Sequence, residues 1–176
     1  MLYHFSEEPD IAGFDPRPPP SGQAMPDAVW AIDATHAVMY YFPRDCPRAC
    51  FWPGANTTAD DRERWFGGVD ARMVICVESG WLDRIRGTTL YRYTMPSETF
   101  RSARGDDSGH YVSERAVTPL HIEPIPDLLA AVSAENVELR VTPSLVELWR
   151  RVIASTLEFS GTRLRNAVGY ADAQWD

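Results

Sequence analysis

Fourteen prolines are spread along the 176 residues. Each removes a backbone donor and its ring clashes with the preceding helical turn, so a helix that reaches one ends or kinks there. Arg17-Pro18-Pro19-Pro20-Ser21-Gly22 must be extended. Pro43 and Pro47 bracket an irregular loop, Phe42-Pro43-Arg44-Asp45-Cys46-Pro47-Arg48. A chain punctuated in this way is an assembly of short elements.

The length suits one domain covering residues 1–176, since domains commonly run to roughly 100–200 residues. Hydrophobic residues make up 44% and charged residues 24%, a balance that buries a core and excludes wholesale disorder. No apolar stretch approaches the roughly 20 residues of a membrane span. The start, Met1-Leu2-Tyr3-His4-Phe5-Ser6-Glu7-Glu8, has neither the basic residues nor the apolar run of a signal peptide, so the expected location is the cytoplasm. The formal charge of −8 argues against an extended nucleic-acid surface, while a small nucleotide needs only one or two local cations. All 17 basic residues are arginines, so any anion site must be built from planar, permanently charged forks.

Leu2-Tyr3-His4-Phe5-Ser6 reads as a strand, and its apolar density so near the terminus predicts a place inside a sheet. Residues 28–32 form a second strand, with Asp33 capping a short helix over 34–41 that Pro43 stops. Strands are expected at 49–52, 73–77, 90–94, 110–113, 117–122 and 137–141. Short helices are expected to end near Trp65 and to cover 80–86 and 127–134. Residues 101–109 are the most polar stretch and the best candidate for a mobile loop. Thr142-Pro143 opens the longest expected helix, which runs to about Phe159 and buries Leu145, Leu148, Trp149, Val152 and Leu157. Gly161 ends it and 162–166 closes the chain as a strand. Many short strands with mostly short helices give an α+β domain.

No glycine-rich phosphate loop, nucleophile elbow or H-E-x-x-H helix is present. Cys46-x-x-x-Cys50 has no second cysteine pair to complete four ligands, so these read as structural thiols and no metal is expected. If Tyr3 and Phe5 point inward, His4 faces the other side of the first strand with Leu2 and Ser6. Arg44, Asp45 and Arg48 sit in a proline-stiffened loop, either pre-set for an anion or paired among themselves. Glu114 interrupts an apolar strand region and is either a site carboxylate or a solvent-facing edge residue.

The order of these pieces resembles the ADP-ribosyltransferase-like superfamily. The strand Leu2-Tyr3-His4-Phe5-Ser6 is similar to its hydrophobic-Tyr-His-x-Ser/Thr opening. Val29-Trp30-Ala31-Ile32-Asp33 followed by His36-Ala37-Val38-Met39-Tyr40 resembles its second strand and helix. Leu90-Tyr91-Arg92-Tyr93-Thr94-Met95-Pro96, the segment from Glu114 to Pro124 and Thr156-Leu157-Glu158-Phe159-Ser160-Gly161-Thr162-Arg163-Leu164 resemble later pieces. The chain is similar over more of its length to a bacterial family, with no assigned activity, that carries LYHFSEEP, FPRDCPR and FSG-x-RLRN.

The superfamily resemblance implies two small, mostly antiparallel sheets forming a cleft, flanked by short helices and one longer C-terminal helix. It implies an ADP-ribosyltransferase or NAD glycohydrolase with NAD as substrate and no metal. His4 and Glu114 are the implied catalytic residues. His4, Ser6, Tyr40, Arg17, Arg44 and Arg48 are the implied nucleotide contacts, and Glu78 stands second to Glu114. The carboxylate would stabilise an oxocarbenium-like transition state. The Ser-Thr-Ser strand is absent and Val112 stands two positions before Glu114, which argues against transfer to a protein side chain. Two alternatives stand beside this reading. One is a nucleotide or RNA phosphotransferase using Arg17, Arg44 and Arg48, and the other is a non-catalytic nucleotide-binding or regulatory domain.

Overall fold

The computed structural model describes residues 1–18, 26–103 and 108–173. The chain divides into two compact units, each assembled from two segments: Met1–Tyr41 with Thr88–Pro126, and Phe42–Gly87 with Asp127–Asp176. Each unit holds one sheet. The α+β class with two mostly antiparallel sheets is the expected one.

The first unit carries six antiparallel strands, β1 (Leu2–Ser6), β2 (Val29–Asp33), β5 (Leu90–Met95), β6 (Arg101–Ser102), β7 (His110–Ser113) and β8 (His121–Ile125), in the order β6-β7-β2-β1-β5-β8. As its composition predicts, β1 is interior, pairing Tyr3 with Ile32 on one side and with Thr94 on the other. Pro124, which cannot donate to a ladder, is tolerated because β8 is an edge. Leu2, Val29, Ala31, Tyr93, Met95 and Val117 form a buried cluster against which Ile11 and Phe14 pack. A backbone bridge between Phe14 and Val117 and the Tyr93 hydroxyl bond to Glu8 O hold the 8–14 segment over that face. Between β2 and the next strand, the expected helix is one 3-10 turn, Ala37–Tyr40.

The second unit carries β3 (Arg48–Trp52), β4 (Met73–Glu78), β9 (Val137–Thr142) and β10 (Glu158–Thr162) in the order β10-β3-β4-β9, with β4 and β9 parallel. Its helices are α1 (Ala59–Phe66), α2 (Leu82–Gly87), α3 (Leu128–Ser133) and α4 (Val146–Ile153). The long C-terminal helix is corrected: α4 has 8 residues, no more than α1. Ser155 and Asp61 terminate it, because their side chains compete for its last backbone groups. Ser155 Oγ donates to Val152 O at 2.6 Å, and the Thr156 N–H donates to Asp61 Oδ2 at 2.8 Å. Leu157 still falls in the core, buried with Leu145 and Val152. It arrives there from a turn, so its helical spacing misled the reading. The closing strand is β10, and residues 164–166 are a 3-10 turn. The expected strand over 117–122 is a bridge at Val117 followed by β8. Of the expected mobile stretch 101–109, Arg101 and Ser102 pair with β7, and 104–107 lie outside the described residues.

Glu78 is a structural anchor of this unit. It is 1% exposed, and its carboxylate accepts from the backbone N–H groups of Leu145 and Val168, both at 3.0 Å. Glu78→Ala leaves the buried Leu145 N–H and the part-buried Val168 N–H without their acceptor and is expected to lower unfolding free energy by about 2 kcal/mol. Glu78→Gln keeps an acceptor oxygen and should cost less than half as much. An unchanged denaturation midpoint in Glu78→Ala would contradict the assignment. The Asp61 carboxyl is held below the ordinary carboxylate range by the Thr156 backbone bond first and the Thr156 hydroxyl second. Folding therefore favours ionised Asp61. That contribution is complete above about pH 4 and is lost as pH falls through the lower folded value. The urea-midpoint gap between the wild type and Asp61→Asn should accordingly narrow from pH 7 to pH 3.

Candidate functional site

Alternation in β1 puts His4 and Tyr40 on opposite faces of the six-stranded sheet. Leu2, His4 and Ser6 share the face of the buried cluster. The His4 ring lies 4.6 Å from Phe14, which lies 5.2 Å from Tyr93, and His4 Nδ1 is 2.8 Å from Trp30 O. The inward face of β1 is therefore the Leu2 face, because the 8–14 segment covers it. Tyr3 and Phe5 point to the other side. Ser6 Oγ accepts from the Glu8 N–H at 3.1 Å, closing the turn that ends the strand.

The Tyr3 and Phe5 face holds a continuous aromatic patch. The Arg92 guanidinium lies 4.9 Å from the Tyr3 ring, and Tyr3 lies 6.3 Å from Phe5. Phe5 stacks on Tyr40 at 6.5 Å with an 8° interplanar angle and meets Tyr41 edge-on at 5.4 Å. His110 is 6.0 Å from Tyr40 and 6.4 Å from Trp30. Tyr3, Phe5, Trp30, Tyr40, Arg92 and His110 are all half-buried. Such a floor offers ring faces for stacking and, in Arg92, a cation held among them.

Two polar groups of this patch are unsatisfied. Trp30 Nε1 and Arg92 Nε are buried and lack a hydrogen-bond partner. Leaving a buried donor unmade costs roughly 1–3 kcal/mol, so native proteins seldom tolerate one without reason. Arg92 is otherwise well held, its Nη2 donating to Glu123 Oε1 at 2.6 Å. Burial works against its charge, but Glu123, Tyr41 and Tyr3 outweigh that effect and raise its pKa above the ordinary arginine value. Trp65 Nε1 is likewise unpartnered, in the second unit, beneath Arg151 at 5.1 Å.

The other expected site residues stand on separate elements. Glu114 follows β7, is exposed, and accepts from the Arg101 guanidinium. His4 stands on β1, two strand spacings or about 10 Å across the sheet from β7. Glu114 also lies three residues along the chain from Tyr111, which pairs with Ala31 beside that strand. The structure does not bring Glu114 and His4 together. Arg17 is exposed and bridges Ala28 through its backbone. Arg44 and Arg48 belong to the second unit. The exposed Arg44 offers its carbonyl to Arg163 Nε at 3.2 Å. Arg48 is 2% exposed, donates to Cys46 O at 3.0 Å and covers the Phe42 ring at 5.6 Å. Arg48 thus braces the proline loop.

Sequence reasoning missed Trp30, Arg92 and His110. Arg92 between Tyr91 and Tyr93 reads as a solvent-facing position of an alternating strand, and a lone histidine after Gly109 carries no motif. The available signal was parity, since Trp30 falls out of phase with Val29 and Ala31, which enter the core.

Among the described residues no group of three or more His, Cys, Asp or Glu is placed to hold a metal ion. No described helix is long and apolar enough to cross a membrane. Burial, partly countered by Arg48, pushes the Cys46 and Cys50 thiols up to about 12, and burial countered by Arg140 does the same for Cys76. Little thiolate forms near neutrality, so iodoacetamide at pH 8 should leave all three unmodified in native protein and alkylate them in urea. Rapid native labelling of any one would contradict this burial.

A family model described as Family of unknown function (DUF6886) matches residues 3–167. No curated protein and no solved structure matches the chain.

Proposed function

We propose, for a chain that belongs to the family of unknown function DUF6886, that the aromatic face of the six-stranded sheet binds a small nucleotide. The observation that carries this reading is the pair of buried, unpartnered donors, Trp30 Nε1 and Arg92 Nε, on one face with Tyr3, Phe5 and Tyr40. A planar base stacks on such rings for about 1–3 kcal/mol. A guanidinium N–H directed at an anionic oxygen adds about 1.5–3 kcal/mol. Both donors are buried, so a ligand with both parts meets them only as the side chains over them move aside. The net charge of −8 disfavours a long polyanion and favours a compact one that meets a single local cation.

Binding is better supported than cleavage. NAD cleavage by His4 and Glu114 acting together requires one ribose to touch both, whereas His4 lies under Phe14 on the covered face and Glu114 is held by Arg101 of the edge strand β6. The superfamily resemblance makes NAD the first nucleotide to try. A phosphotransferase gains no support from Arg48, whose guanidinium is buried against Phe42.

Calorimetric titration with NAD, AMP, ATP and inorganic phosphate tests the reading. At least one nucleotide is expected to bind more tightly than phosphate alone. Arg92→Gln should weaken that binding about tenfold or more. His4→Gln and Glu114→Gln should stay within about threefold of the wild type, because His4 lies on the opposite face and Glu114 is tied to Arg101 of the edge strand β6. No binding by any of the three nucleotides at millimolar concentration would overturn the proposal, as would Glu114→Gln costing as much as Arg92→Gln.

A further inference from the structure

The aromatic face ends in three side chains whose hydrogen-bonding groups stacking does not use. His110 Nε2 lies 2.8 Å from the Tyr40 hydroxyl, and His110 Nδ1 lies 3.2 Å from Ser108 Oγ. We propose that Tyr40, His110 and Ser108 form a proton relay for the ligand of this face, a planar heterocycle carrying an exchangeable N–H or hydroxyl proton. This rests on the reading of the face as a nucleotide site.

A neutral imidazole holds one proton and offers one lone pair, so its two partners must play opposite roles. With the proton on Nδ1, the ring donates to Ser108 Oγ and Tyr40 donates its O–H to Nε2. The phenol oxygen then presents lone pairs, and a ligand N–H or O–H donates to it. With the proton on Nε2, the ring donates to Tyr40 and Ser108 donates to Nδ1. Tyr40 then directs its own O–H toward the ligand.

The first arrangement converts to the second by four transfers. A ligand proton passes to Tyr40 Oη, the Tyr40 proton passes to Nε2, the Nδ1 proton passes to Ser108 Oγ, and the Ser108 proton passes to water. Each protein atom ends with the proton count its new role requires, the ligand has lost one proton and water has gained it. No carbon bond changes and no oxidant is involved. The reverse sequence delivers a proton to the ligand. Relays of this kind are a general use of histidine.

The surroundings fix the parts of the chain. Phe5 stacks parallel to Tyr40 and sets the phenol plane. On the other side of His110, the unpartnered Trp30 Nε1 belongs to a ring 6.4 Å away. Gly109, at φ +77°, admits His36 against its α-carbon, where a Cβ would come within 2.3 Å of His36 Nδ1. His36 is itself tied to Asp33 Oδ1 at 2.9 Å, and the Asp33 N–H donates to Gly109 O. The backbone that enters His110 is thereby clamped, and only glycine fits the position.

Nitrogen-15 NMR of the four histidines in the full chain, at mildly alkaline pH, reads the tautomer directly. Tyr40→Phe retains the stacking ring and Ser108→Ala removes one hydroxyl, so both variants are expected to fold. Each should shift the His110 ring nitrogens while leaving those of His4 and His121 in place. When AMP or NAD is added to the wild type, the separation between the two His110 nitrogens should change. Tyr40→Phe, which keeps the ring but loses the hydroxyl that meets the ligand, should abolish that change at saturating nucleotide. His110 signals identical in the wild type and both variants would overturn the relay, and so would nucleotide binding that leaves them unmoved. If neither nucleotide binds, the reading of the face fails and the relay with it, while the unliganded comparison still decides whether the hydrogen-bonded chain exists.

Discussion

The strand Leu2–Ser6 is paired on both sides, to Val29–Asp33 and to Leu90–Met95, and its alternation divides the chemistry of the first unit. Because side chains reverse at every residue of a strand, a one-residue slip would exchange its two faces. In the observed register Leu2 and His4 join the cluster beneath Ile11 and Phe14, while Tyr3 and Phe5 meet Arg92, Tyr40 and Tyr41. One face is closed by apolar packing. The other keeps half-buried rings, a held guanidinium and two donors without acceptors. The functional reading follows from that division.

Much of the architecture was legible in the sequence. The continuous apolar run Met73-Val74-Ile75-Cys76-Val77 reads as a strand buried on both faces, and the interior position of the first strand follows from its apolar density. The end of the chain was less legible. Leu157 extends the 3.6-residue spacing of Leu145, Leu148, Trp149 and Val152, yet the helix stops where Ser155 Oγ takes the Val152 carbonyl and Asp61 takes the Thr156 N–H. Side chains that compete locally for the backbone outweigh a hydrophobic pattern when the partner, here Asp61, lies far away in sequence.

The site was legible only in part. Tyr40 lies on the aromatic patch. His4 was marked by its motif, but which face of its strand would be covered depended on where the 8–14 segment folds, and that segment has no periodicity of its own. Arg48 illustrates the same gap. A proline-stiffened loop does orient its arginine, but toward Cys46 O and the Phe42 ring. Glu78 looked like a candidate carboxylate because it ends a buried strand. The same burial makes it an acceptor for two backbone groups, as a carboxylate in a dry core must be.

Each tryptophan indole N–H gives its own proton–nitrogen correlation, so the two unpartnered indoles can be followed separately during one titration with NAD or AMP. The Trp30 Nε1–H and Arg92 Nε–H signals should move together and saturate at the same nucleotide concentration, while the Trp65 Nε1–H signal stays where it is. A saturating titration that moves neither Trp30 nor Arg92, or that moves Trp65 in their place, would contradict the assignment of the ligand to this face.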